Sequence, residues 1–438
     1  MVAPLSQASN NSTGMSGYTS SCGAGASTSA YVGTQQLAVL PGCSSSGMGE
    51  IQRSTGSTET GDSATYTLGA DVDVHSEIHY TYSLPNISLG TWGYMVGLKI
   101  IKNVTIKVGT SVWETIDQAS MLAMAQLEMT KEEYDLWATG LNGITKAPLI
   151  GAAGTTDGIC TGGGKLMCCV KGGYRGQLFV AAMPYQSVTV KINFSPVTEC
   201  YDISTNMPTT TKQHTNFVLY TKQHILSPYE RGLMQSTDIL QLLSTTQYYS
   251  KGLPTVTAGE EIPAIDLSFF NDYCTHVAVW CTVNAASGNN NVLGGSTGTG
   301  SQGESQPDPL NKCQLVYNGT SAQGEQPHAL LKYSSMMGLA SGGLASKWSP
   351  GPTVSSVVSN PNIMLFQLAN TPCVTSLSTD QSQYAPFAGG DGVANNRYDV
   401  IQFKAFAVNG FTVGGDTIHF VAFGAQSVLY SGGGAVKN

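Results

Sequence analysis

The chain has 438 residues with 28 acids against 20 bases, a net charge of −8, and it lacks the clustered Lys and Arg that neutralise phosphate, which excludes wrapping nucleic acid through a folded surface. Only 11% of residues are charged, less than half the roughly 25% usual in soluble proteins, and Gly (51 residues), Ser, Thr and Asn supply the polar surface instead. Such a composition favours many short strands joined by Gly-rich turns over helical bundles, and the length suits two domains.

Met1-Val2-Ala3-Pro4 begins no pattern of basic then apolar residues, and no apolar run approaches the ~18 residues of a membrane span. A chain synthesised in the cytosol as a soluble protein is therefore expected. Residues 1–60 are rich in Ser, Gly and Thr, broken only by the run Tyr31 to Leu40, and read as an arm that is mobile or ordered by a partner. From Asp71 to Leu84 apolar and polar residues alternate, Val72, Val74, Ser76, Ile78, Tyr80, Tyr82 and Leu84 against Asp71, Asp73, His75, Glu77, His79, Thr81 and Ser83, which predicts a half-buried strand. The same period of two marks Ile100 to Val108 and Val188 to Phe194. Between them Ile116 to Glu128 reads as a helix, and Thr130-Lys131-Glu132-Glu133 matches a capping box with Thr130 as N-cap and Glu133 at N3.

Residues 140–177 are Gly-rich and read as a surface loop; the polar stretch Val197 to His214 reads as a linker. Beyond it Phe217 to Tyr220 is a strand, and Ser227-Pro228-Tyr229-Glu230 sets an N-cap, an N1 proline and an N3 glutamate in the order that opens a helix. Strand patterns return at Glu261 to Phe270, Val277 to Val283, Ile363 to Leu368, Val400 to Val408 and Ile418 to Phe423, separated by long polar loops at 285–310 and 338–360. The expected division is an arm over 1–60, one β-unit over 61–200, a linker over 201–216 and a second β-unit with a C-terminal tail over 217–438.

Candidate chemistry is sparse. His75, Glu77 and His79 share one strand face at roughly 7 Å spacing, a pattern that could begin a metal site only with ligands from neighbouring strands; cross-strand hydrogen bonding on a polar outer or interface face is the plainer reading. Thr161-Gly162-Gly163-Gly164-Lys165 looks like a phosphate loop, but Ile159 stands where its first Gly belongs and Leu166 where Ser or Thr holds magnesium. Cys168 and Cys169 point to opposite faces if the segment is a strand, and the ten cysteines, with no C-x-x-C pair, read as buried thiols. No G-x-S-x-G elbow occurs, the seven His are dispersed, and adjacent Glu260-Glu261 specifies no glycosidase pair. Sequons at Asn10, Asn11, Asn86, Asn103, Asn193 and Asn318 are expected from Ser/Thr content, with Asn86 and Asn318 the glycosylation candidates. No catalytic residue, cofactor or metal is expected.

Four collinear segments carry a family resemblance. They are IIKNVTIKVGTSVWETIDQASMLAMAQLEMTKEEYDLWATG from Ile100 to Gly140, LFVAAMPYQSVTVKINF from Leu178 to Phe194, VLYTKQHILSPYERGLMQSTDILQLLSTTQ from Val218 to Gln247 with its Glu230-Arg231 pair, and IHFVAFGAQSVLYSGGG from Ile418 to Gly434. In these the chain resembles the double jelly-roll major capsid proteins of nucleocytoplasmic large DNA viruses, and departs from them in the N-terminal 60 residues and at LMCCVKGGYRGQ from Leu166. The resemblance implies a mainly β fold of two tandem eight-stranded jelly-roll barrels, with short helices at the inter-strand and inter-barrel connections. It also implies a homotrimer whose six barrels imitate a hexagon and tile an icosahedral shell. Neighbouring capsomers, penton and minor capsid proteins would be its partners, an internal membrane would be reached indirectly, and the virion capsid, assembled in host cytoplasm, would be its place. The competing class is a carbohydrate-binding or adhesive β-sandwich; a polysaccharide-processing enzyme would need a cleft with two carboxylates.

Overall fold

The computed structural model describes residues 28–32, 35–39, 45–85, 92, 95–129, 131–141, 160–172, 176–200, 213–257, 259–270, 273–282, 310–321, 324–328, 330–331, 364–368, 393–394, 399–407 and 417–437. A hairpin of β1 (Thr28–Val32) and β2 (Gln35–Val39) comes first. The strands that follow are β3 (Ser45–Ile51), β4 (Arg53–Gly56), β5 (Ser63–Thr67), β6 (Val74–Leu84), β7 (Ile101–Val108), β8 (Ser111–Asp117), β9 (Cys160–Lys165), β10 (Leu178–Phe179), β11 (Val188–Phe194) and β12 (Thr215–Ile225). They make two antiparallel sheets, β10-β6-β12-β3 with β9 also on β6, and β4-β5-β11-β7-β8. The second half contributes β13 (Ile239–Gly252), β14 (Glu261–Asp266), β15 (Tyr273–Thr282), β16 (Leu310–Tyr317), β17 (Thr320–Ser321), β18 (Gln326–Pro327), β19 (Met364–Gln367), β20 (Val393–Ala394), β21 (Ile401–Ala407), β22 (Thr417–Ser431) and β23 (Gly434–Lys437). These form β13-β22-β15-β19, with β20 on β15 and β23 on β22, and β14-β21-β16-β17, with β18 on β16.

The fold is mainly β, a double jelly roll, and the chain visits its two sheets in the same sequence in each half. β3, β5, β6, β7, β8, β9/β10, β11 and β12 correspond in turn to β13, β14, β15, β16, β17/β18, β19/β20, β21 and β22. A shared irregularity fixes the correspondence. In β6 the extra residue Ser76 lies between the pairs Glu77↔Lys222 and His75↔Gln223; in β15 the extra residue Thr275 lies between His276↔Phe423 and Cys274↔Gly424. Each bulge hydroxyl donates to the carbonyl of the facing strand, Ser76 to Lys222 at 3.4 Å and Thr275 to Phe423 at 3.1 Å. A bulge recurring at one place in two copies of a fold is a built feature of that fold, and it aligns Ser76 with Thr275.

Among the described residues α1 (Val96–Lys99), α2 (Gln118–Glu128), α3 (Lys131–Gly140), α4 (Val197–Cys200) and α5 (Pro228–Ser236) link the strands. The helix expected from Ile116 starts at Gln118, because Ile116 still belongs to β8 and Asp117, the last residue of that strand, is the N-cap, its side chain accepting from Ser120 N at 2.9 Å. Thr130 lies outside the described residues, as do Asn86 and residues 201–212; Glu133 lies in the first turn of α3.

Three expectations about organisation change. Strands occur before residue 60: β1 pairs with β2, and β3 pairs along its length with β12 and needs only Ile51 in the core. The strand at Phe217 belongs with the first two sheets, not the second unit. There its ring stands 5.5 Å from Tyr80 and 4.9 Å from Phe194, and His214, expected in the linker, is buried beside both phenylalanines. The supposed surface loop over 140–177 contains β9 and then buried Leu166, Met167, Cys168, Cys169, Val170 and Lys171.

Candidate assembly surface

The two units meet along a seam, and its physics starts with sheet β13-β22-β15-β19. Most sheets at a surface bury one face and wet the other. Here one face, with Val277, Val279, Phe366, Phe420 and Ala422, fills the second unit's own core. The opposite face, with Ala278, Trp280, Leu365, Val421 and Phe423, is continuous with the core of the first unit. Trp280 stacks on His419 at 5.3 Å, and His419 accepts or donates at 2.9 Å to the Tyr248 hydroxyl.

Against that face lies the β8 edge of the first unit. Glu114 is fully buried there: its Oε1 accepts from the Thr246 hydroxyl across the seam, and its Oε2 accepts from Cys169 N. Burial pushes its carboxyl up from the ordinary range, and those donors together with the Lys171 charge oppose the shift only in part. His276, stacked on Phe423 at 4.6 Å, is held down to about 3 by burial, with the charge of Lys171 adding to the effect. Further along, Lys437 Nζ donates to Trp113 O at 2.8 Å, Ala435 N to Gln186 Oε1 at 2.8 Å, and Gln241 Nε2 to Gln177 O at 2.9 Å.

Helix α5 joins the units, and its start is doubly fixed. Ser227 Oγ accepts from Glu230 N at 3.3 Å while Glu230 Oε2 accepts from Ser227 N at 3.1 Å, with Pro228 at N1, the reciprocal arrangement that satisfies two orphan amides. The next residue, Arg231, reaches back to the first unit. Its Nε and Nη2 lie 2.6 and 3.0 Å from the two oxygens of buried Asp73, which also accepts from Leu226 N at 2.6 Å. Sequence reading placed Asp73 only as an outer strand residue and missed this anchor; the extended Asp71 to Leu84 pattern shortens to Val74, and Asp73 turns inward beneath the linker helix.

Among the described residues nothing covers the equivalent face of the first unit. Glu77, His79 and Thr81 of β6 lie beside Lys222, Tyr220 and Val218 of β12 and Lys165 of β9, all half-buried or exposed. Glu77 bonds His79 Nε2 at 3.3 Å and Lys165 Nζ at 3.4 Å. Burial works against its charge, yet the His79 bond and the cations Lys165 and Lys222 hold the carboxyl down at about 2. His75 is buried apart from this pair, between Thr221 Oγ1 at 3.3 Å and the Gly69 carbonyl at 3.1 Å, so the structure does not bring the three residues together. Among the described residues no group of three His, Cys, Asp or Glu is placed to hold a metal.

The Gly162-Gly163-Gly164 run is a strand paired with β6, not a phosphate cradle. Glycine is required because β6 and α3 both press on it: a Cβ on Gly163 would stand 2.7 Å from Tyr80 O of β6, one on Gly162 would stand 2.8 Å from Gly140 O of α3, and one on Gly164 would press on Leu141 and Trp137. Tyr82 closes this crossing by donating to Gly140 O at 3.3 Å. Beside it an open groove of about 500 Å3 is lined by Thr81, Thr161, Gly163, Asn216, Val218 and Tyr220 among others. Asn318 occupies a left-handed turn position with its Oδ1 accepting from Val400 N at 2.9 Å, and Cys168, Cys169, Cys200, Cys274, Cys281 and Cys313 are buried.

No family model and no curated protein matches the chain. Solved structures do. VP54 of PBCV-1, in a crystal structure fitted into a reconstruction of the virophage Sputnik, aligns with TM-score 0.67 and 11% identity over 93% of this chain and 98% of that one. The quasi-atomic model of the PBCV-1 virus capsid gives 0.65 and 12% over 93% and 98%. The Faustovirus major capsid protein gives 0.58 and 8% over 92% and 93%. These neighbours are viral major capsid proteins, and what this chain shares with them is the fold across nearly its whole length.

Proposed function

We propose that this chain is a structural capsid subunit that closes into a homotrimer, and that the trimer acts as a pseudo-hexagonal capsomer tiling an icosahedral virus shell. The observation that carries the reading is the likeness to capsid proteins across both units at once, because a shared two-unit body preserves the spacing of surfaces that assembly uses, which a shared single sandwich would not. The seam supports it: two barrels locked through Glu114, Asp73 and a common apolar core move as one block, and a shell needs blocks of fixed shape. The role is geometric, with no reaction and no cofactor. Neighbouring capsomers, penton and minor capsid proteins are the partners, an internal membrane is reached through them, nucleic acid is not contacted, and assembly takes place in the host cytoplasm before the chain resides in the virion capsid. Within this reading the arm precedes Ser45, and the two jelly rolls divide at Leu226, where β12 hands over to α5.

The test is the absolute mass of the purified chain by light scattering after gel filtration, followed by electron microscopy of concentrated protein. Three times 45.9 kDa, stable to dilution, with particles or sheets of hexagonal units, is expected. The uncharged, hydroxyl-lined groove beside Tyr220 favours the competing reading of a carbohydrate-binding β-sandwich; a compact monomer that retains neutral glycans would replace the capsid proposal with that one.

A further inference from the structure

The internal duplication specifies more than a repeated fold, because one copy's outer face is covered and, among the described residues, nothing covers the other's. With Ser76 set on Thr275, His79 of the first unit stands where Ala278 stands in the second, Thr81 where Trp280 stands, Tyr220 where Val421 stands and Val218 where His419 stands. Through the next strand, Met48, which pairs with Lys222, matches Thr246, which pairs with Phe423. In the second unit these positions lie in the seam, and Thr246 bonds Glu114 there. In the first unit Met48 is 55% exposed, beside half-buried Val218 and Tyr220 and the polar Glu77, His79, Thr81 and Lys222.

The covering element is also duplicated. What seats on the second unit's face is the junction where β8 passes into α2, from Glu114 through the Asp117 cap, whose carboxylate meets the Tyr248 hydroxyl. The second unit repeats this junction where β18 passes into helical His328, Leu330 and Leu331. There Leu331 is buried in the unit's own core, while Leu330 points away and is 52% exposed.

We infer that the first unit's β3-β12-β6 face, with Met48, His79, Thr81, Val218 and Tyr220, receives the Gln326 to Leu331 junction of a second copy of this chain, in the register that the β8 to α2 junction uses inside one chain. The inference rests on the trimer proposal and assigns its surfaces. The contact is head to tail: the face belongs to one copy and the edge to the next, so it closes a ring instead of pairing like with like. Leu330 meets the apolar floor that Val218 and Tyr220 give to the groove beside Thr161, and Met48 takes the place that Thr246 has in the seam.

Two double variants test it, each at residues outside the cores: a face variant, Met48→Arg with Thr81→Arg, and an edge variant, Leu330→Arg with Gln326→Arg. Each should keep the melting temperature of the parent and fall threefold in mass, from trimer to monomer. Mixed in equal amounts, they should give a species of twice 45.9 kDa, since one intact edge and one intact face remain across the pair. Variants that stay trimeric would overturn these surfaces and leave the trimer standing. Monomeric variants whose mixture stays monomeric would overturn the head-to-tail pairing. A parent chain that is itself monomeric at concentrations suited to assembly would remove the trimer proposal and this inference together.

Discussion

Asp73→Ala should be the most costly exchange of a single charged residue in the joint between the units. The carboxylate is almost wholly buried, accepts hydrogen bonds from Arg231 Nη2 at 3.0 Å and Leu226 N at 2.6 Å, and has Arg231 Nε as a close ionic neighbour at 2.6 Å. Removing it strands the Leu226 amide, which costs about 1–3 kcal/mol for an unsatisfied buried donor. The ion pair adds about 1 kcal/mol instead of the roughly 3–5 of a fully buried pair, because the Arg231 side chain is 43% exposed. The expected loss is therefore about 2–4 kcal/mol. Asp73→Asn keeps an acceptor for Leu226 N but turns an amide group toward the guanidinium, and should fall about halfway. Urea unfolding followed by tryptophan fluorescence reads both, since Trp113 lies in the first unit and Trp280 in the seam. The parent should unfold in one transition because the two units share a core. The double variant Asp73→Ala with Arg231→Ala should cost about 1 kcal/mol less than the sum of the singles. A loss below about 0.5 kcal/mol for Asp73→Ala, or strict additivity, would show that α5 is held by packing alone.

Ser227→Ala removes one half of the capping box and should cost about 1 kcal/mol, read in the same unfolding assay; an unchanged midpoint would mean that Pro228 and the Asp73 anchor suffice. Gly163→Ala places a methyl against Tyr80 O and should lower stability by about 1–3 kcal/mol as β9 is forced off β6, whereas Gly232→Ala, with open space at its Cβ, should be neutral or slightly stabilising by thermal melt. Glu114 gives a pH dependence. Its folded pKa lies above the ordinary 4.5, so the folded chain holds that proton more tightly than the unfolded chain does. The group's contribution is complete below pH 4.5 and is lost as pH rises through the folded value. Melting temperatures of Glu114→Gln minus the parent should thus grow more positive between pH 4 and pH 8, and a flat or falling difference would refute a protonation penalty at the seam.

Strands were legible in the sequence where one face is core and the other water. Val188 to Phe194 alternates buried and half-buried residue by residue, as the structure has it. The α5 cap was legible because its chemistry is local: donor and acceptor sit three residues apart. What failed was whatever depends on a distant partner. The middle of β13, Leu243 to Thr246, buries both faces and so loses its alternation, β3 is polar because β12 supplies its hydrogen bonds, and the three glycines of β9 signal a turn until β6 and α3 are seen packed against them. The joint itself was invisible for the same reason. Asp73 and Arg231 are separated by 158 positions and Glu114 and Thr246 by 132, and no pattern within a window connects them.

The two units nonetheless repeat one architecture without a visible sequence repeat, and their differences follow from which face is covered within the single chain. Trp280, Ala278 and Val421 are shielded as soon as the chain folds, so they are apolar and the seam resembles a domain core cut in half. Thr81, His79 and Tyr220, at the same places in the first unit, must stay wetted in any free chain. A face that waits in water for its partner keeps polar groups and confines apolar area to a few anchors, which is the distribution seen with Met48 and Tyr220 among Glu77, His79, Thr81 and Lys222. The polarity of that face is thus compatible with docking. In the proposed contact it would distinguish docking between folded chains from packing made during folding, with the Glu77 and Lys165 pair at the rim, where charge steers encounter and fixes register more than it adds affinity.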